Sequence, residues 1–87
     1  GMRLQWEERY RYRPPSNLET KYWSLTRDVG AVHGVNTGYI VLFSKPHGKF
    51  AAALPNVDFK LFDSEEDAKN YCEVCCRMEV HHEKKDW

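Results

Sequence analysis

The chain has 87 residues, with 41% hydrophobic and 30% charged side chains, and a formal net charge of zero. This length gives one domain with a modest core, and the composition argues against both a disordered chain and a strongly basic nucleic-acid coat. No apolar run approaches the ~20 residues of a membrane-spanning helix, and no continuous apolar segment follows Met2, so a cytoplasmic protein with no membrane contact is expected.

The charge is balanced but uneven. Residues 1–60 carry nine Lys/Arg against five Asp/Glu, and residues 61–87 carry four against eight. A basic first part could meet an anionic partner. An acidic second part suits the start of a helix.

Leu4, Trp6, Tyr10 and Tyr12 alternate with Gln5, Glu7, Arg9 and Arg11. That period of two predicts a half-exposed strand, which Arg13-Pro14-Pro15-Ser16-Asn17 then ends. Lys21 to Arg27 is rich in aromatic and β-branched residues and predicts a second strand. Asp28 to Gly38 contains Gly30, Gly34 and Gly38 and reads as a long turn. Tyr39-Ile40-Val41-Leu42-Phe43 is apolar at every position, the pattern of a central strand covered on both faces. After a turn at residues 44–48, Lys49 to Leu54 predicts a fourth strand with Phe50, Ala52 and Leu54 alternating. Pro55-Asn56 turns the chain, and Val57 to Phe62 pairs back.

Ser64 is placed to cap a helix, with Glu65, Glu66 and Asp67 at the positive end of its dipole. Ala68, Tyr71, Cys72, Cys75 and Met78 recur at three- and four-residue intervals and predict the face that meets the sheet. Lys69, Asn70, Glu73 and Arg77 are expected in water. The helix is expected to fray after Val80, leaving residues 81–87 as a loose tail. The expected fold is a single α+β domain over residues 2–80. Its antiparallel sheet has four to five strands, with one C-terminal helix packed on one face. The expected core is Trp23, Leu25, Ile40, Leu42, Phe50, Ala52, Leu54, Phe59, Leu61, Ala68, Tyr71, Cys72 and Cys75.

Cys72, Cys75 and Cys76, with His81 and His82 behind them, are the candidate metal ligands. A structural site wants ligands from at least two segments, and Cys72 and Cys75 fall on the apolar helix face, where a thiol behaves as a small hydrophobe. Three cysteines within five residues cannot form a disulfide framework, and reduced thiols are expected. No metal and no cofactor are expected. The glycines between 30 and 38 lack the Gly-Lys-Ser/Thr ending and the following helix of a phosphate loop. No serine sits in a nucleophile elbow, and adjacent carboxylates at 63–67 cannot face each other across a cleft. An enzyme is not expected, and no small-molecule substrate is evident.

His47-Gly48-Lys49-Phe50-Ala51-Ala52, a turn, a strand ending at Phe62, and Asp63-Ser64-Glu65-Glu66-Asp67-Ala68 form one pattern. It resembles the second half of the plant ethylene-response-type DNA-binding domain and the arm-binding domains of phage tyrosine integrases. It also resembles small phage and prophage proteins. The resemblance implies a sheet packed on one helix, with Lys49 and His47 on a DNA-facing surface. His47 stands where that family has a tryptophan, and Tyr39 to Phe43 lacks its basic residues. The functional expectation is a small non-enzymatic accessory or interaction protein, of phage or mobile-element origin, that contacts protein and pairs with itself as a homodimer. The second copy, or the N-terminal strand, would close the other face of the central strand. The alternative is sheet-mediated DNA binding through Arg9, Arg11, Arg13, His47 and Lys49.

Overall fold

The computed structural model describes residues 3–13 and 18–85. The expected turn at residues 14–17 lies outside them. Five strands follow the chain order in one antiparallel sheet: β1 (Leu4–Arg13), β2 (Leu18–Val29), β3 (Val32–Ser44), β4 (Lys49–Ala53) and β5 (Phe59–Phe62). One helix, α1 (Glu65–Lys85), lies across one face. This is the expected α+β fold, with five strands.

The turn between β2 and β3 is two residues long, not eleven. β2 runs to Val29 and β3 starts at Val32. Gly30 takes a φ of 57°, as a tight hairpin turn requires. Gly34 and Gly38 lie inside β3, where the pairing slips: Val29 faces Val32 but Arg27 faces Val35, and Thr26 faces Asn36 but Ser24 faces Ile40. The extra residues are bulged out, and both glycines have positive φ. Glycines that read as a loop are bulges in a long strand.

α1 begins as the sequence predicts. The Ser64 hydroxyl accepts from the Asp67 amide at 3.1 Å, and Lys69 pairs with Glu65 at 2.8 Å. The helix continues to Lys85, past the point where fraying is expected, because residues 81–85 contain neither glycine nor proline.

The core joins Leu25, Tyr39, Val41 and Ala52 of the sheet to Ala68, Cys72 and Cys76 of the helix. This corrects the expected β3 face. Val41 pairs with Trp23 and Ala52, so it shares their side of the sheet, beneath the helix. Ile40 and Leu42 point the other way, together with Phe59 and Leu61. On the helix, Cys76 is buried and Met78 is exposed, because the buried stripe repeats every four residues from Ala68. Lys69 and Glu73 are half-buried rather than solvated. Glu73 accepts a hydrogen bond from the Trp6 indole at 3.3 Å. The Lys69 ammonium lies 5.6 Å from the Trp6 ring and 5.0 Å from the Trp23 ring. α1 packs mainly on β3, β4 and β5, and these two long side chains extend its cover to β1 and β2.

Candidate functional site

The strand registers lay out the face that the helix leaves open. One row crosses the whole sheet: Arg9 faces Tyr22, Tyr22 faces Leu42, Leu42 faces Ala51, and Ala51 faces Leu61. The next row runs Glu7, Ser24, Ile40, Ala53 and Phe59. Residues directly opposite each other project to one side of a sheet. The two rows therefore put seven apolar side chains together, from Tyr22 on β2 to Phe59 and Leu61 on β5. β1 lies in the plane of the sheet as an edge strand and covers none of them. Closure of this face by the N-terminal strand, one of the two expected solutions, does not occur.

At the β1 side the face curves into a trough of about 780 Å³. It is lined by Arg9, Tyr10 and Arg11 of β1, Thr20, Tyr22 and Ser24 of β2, and Asn36, Ile40 and Leu42 of β3. Its floor is apolar and one wall is cationic. The polar groups largely satisfy each other. Ser24 Oγ donates to Asn36 Oδ1 at 3.2 Å, and Arg9 pairs with Glu7 at 2.6 Å. Arg11 has no carboxylate partner among the described residues.

The expected DNA-contacting residues are only partly brought together. Arg9 and Arg11 share the open face. The Arg13 side chain lies outside the described residues. Lys49 is on the same face but three strands from Arg11, roughly 14 Å away by strand spacing. It is bound to Asp63 at 3.0 Å. His47 sits in the turn before β4, its Nδ1 2.8 Å from the Ser44 hydroxyl. Two of the three described cations on the face are therefore already neutralised by a carboxylate.

The cysteines lie together on the sheet-facing side of the helix. Cys72 and Cys76 are buried in the core, and Cys75 is half-buried beside them. Burial pushes the Cys72 thiol up to about 12, with the neighbouring Cys75 and Cys76 adding to it. Burial also raises Cys76. The His81 and His82 side chains lie outside the described residues. Among the described residues, no group of three or more His, Cys, Asp or Glu is placed to hold a metal ion. No described helix is long and apolar enough to cross a membrane.

The residues that form the open patch were legible as apolar but not as a surface. The five-residue apolar run of β3 is the signal that both faces need cover. The partners Tyr22, Phe59 and Leu61 follow only from the registers. No known protein family matches the sequence, and comparisons with curated proteins and with solved structures give no match.

Proposed function

We propose that the protein is a small non-enzymatic interaction domain that docks a protein partner on the open face of its sheet. One observation carries this reading: two cross-strand rows place Tyr22, Ile40, Leu42, Ala51, Ala53, Phe59 and Leu61 on a face that none of the described elements covers. An apolar centre with ion pairs at its margins, Glu7–Arg9 and Lys49–Asp63, is the make-up of a protein-binding patch. Three free thiols fit a reducing compartment, the cytoplasm.

A second reading uses the same face for DNA. Arg9, Arg11 and Lys49 all project from it beside Tyr22, which favours this alternative. The neutralisation of Arg9 and Lys49 by Glu7 and Asp63 weighs against it, because affinity for nucleic acid is mostly electrostatic.

The two readings separate in one pair of measurements on dilute protein. The wild type should bind the hydrophobic dye 1-anilinonaphthalene-8-sulfonate, and Leu42→Asp and Leu61→Ser should each lower that signal severalfold without changing the circular dichroism. Duplex DNA of mixed sequence should not bind at physiological salt. A dye signal indifferent to both leucines, with DNA affinity that falls steeply as salt rises, would replace the first reading by the second.

A further inference from the structure

We infer that the occupant of the open face is a second copy of this chain, stacked sheet on sheet about a two-fold axis parallel to the strands. The inference rests on the docking reading above and names its partner. Two features of the molecule support it.

The first is area. The chain exposes 6481 Å², against about 5,400 Å² expected of a compact monomer of 10.3 kDa. The difference, roughly 1,000 Å², is a whole-chain figure to which the open face contributes, and a standard interface takes about 800 Å² from each partner. The patch lies on a sheet, and a second sheet can cover it at the usual spacing of about 10 Å.

The second is charge. A two-fold axis along the strands sets β1 of one copy over β5 of the other, twice. Arg11, at the β1 side of the face, has no carboxylate partner among the described residues. The Asp63 side chain, just beyond β5, is 88% exposed even while it pairs with Lys49 at 3.0 Å, which leaves it open to a second cation. This arrangement brings Arg11 of each copy towards Asp63 of the other, with the apolar rows between them. A perpendicular axis would instead stack β1 on β1 and leave Arg11 and Asp63 at opposite margins of the interface. The axis along the strands is the one that gives Arg11 a carboxylate in both halves of a two-fold interface.

Light scattering after gel filtration, from micromolar to near-millimolar protein, tests the inference. The wild type should approach twice 10.3 kDa at the upper end. Leu42→Asp should weaken self-association by about a hundredfold or more, because a two-fold interface buries the new charge twice. Arg11→Glu should weaken it by about tenfold. The triple variant Arg11→Glu/Lys49→Glu/Asp63→Arg, which keeps the pair at 49 and 63 in inverted form, should recover most of that loss. Should Leu42→Asp not fold, Leu61→Ser at the edge strand replaces it.

A wild type that stays monomeric throughout would overturn the inference, as would a folded Leu42→Asp protein that dimerises unchanged. The dye measurement separates the two levels. A monomer whose dye signal still depends on Leu42 loses the second copy as partner but keeps the docking face. A monomer whose dye signal ignores both leucines loses both.

Discussion

Tyr22 and Leu42 face each other across β2 and β3 on the side of the sheet that the helix does not touch. Val41, one residue earlier, faces Trp23 and is fully buried beneath the helix. Two adjacent apolar residues on one strand thus have different tasks. Val41→Ala should cost about 1–3 kcal/mol, through lost burial and a cavity against Cys72 and Ala52. Leu42→Ser should cost the monomer well under half of that, because no layer packs on it. Urea unfolding of both variants at dilute concentration checks the difference. Equal costs would mean that the open face is covered from within the chain.

That contrast also marks how far the sequence was legible. The alternation of β1, the Ser64 cap and the buried positions Ala68 and Cys72 are local signals, and the structure follows them. The facing of β3 is not local. With Tyr39 to Phe43 apolar throughout, its own period cannot choose which side meets the helix. The pairing partners reveal it: Val41 faces Trp23 and Ala52, which lie on the helix side, while Ile40 and Leu42 face Ala53 and Ala51 on the other. The same limit applied to Gly34 and Gly38. Glycine signals positive φ equally well in a loop and in a bulge, and only the pairing partners decide between them. For the candidate site, the basic residues were visible as types. The Glu7–Arg9 pair follows from the period of two along β1, whereas the neutralisation of Lys49 by Asp63 depends on a register that no spacing reveals.

Gly38 and Val57 make opposite predictions about backbone conformation. Gly38 has a φ of 88°, and a Cβ there would meet Pro55 Cγ at 3.1 Å. Gly38→Ala should therefore destabilise by at least about 1–2 kcal/mol, from strain and crowding together. Val57 has a φ of 66° in the turn between β4 and β5, where a β-branched residue is strained. It is 89% exposed, so its side chain contributes little packing. Val57→Gly should raise stability by about 0.5–1 kcal/mol despite the extra freedom of the unfolded chain. Thermal melts of the two variants should move in opposite directions.

Asp28 ties the end of the β2–β3 hairpin. Its carboxylate accepts from the Gly34 amide at 3.2 Å and lies 3.3 Å from His33 Nδ1. The Gly34 hydrogen bond, then His33, holds its pKa below the ordinary 3.8. As pH falls, the unfolded chain takes up this proton before the native one does. The contribution to stability is therefore complete above about pH 4 and is lost as pH drops through the depressed native value. Acid titration should loosen this hairpin end before the helix-covered part of the sheet. The signature is early exchange of the Gly34 amide, monitored by NMR. Asp28→Asn should remove that acid step, and an unchanged titration in this variant would show that another carboxylate carries it.

The three thiols should divide by burial and not by their place in sequence. Cys72 and Cys76 are 0% and 3% exposed, and burial raises the pKa of both. Cys75 is half-buried on the helix flank. Reaction with an aromatic disulfide reagent needs a thiolate and access. Native protein at neutral pH should therefore show one thiol, Cys75, reacting at least about a hundredfold faster than the other two, which wait on opening of the helix–sheet interface. Denaturant should bring all three to a common rate. Cys75→Ser should abolish the fast phase and leave the slow ones. Cys72→Ser should leave the fast phase in place and lower the melting temperature, because it puts a hydroxyl where the thiol packs against the sheet. A fast phase that vanished in Cys72→Ser would place Cys72 at the surface. The helix would then be rotated from the orientation that leaves the opposite face of the sheet open.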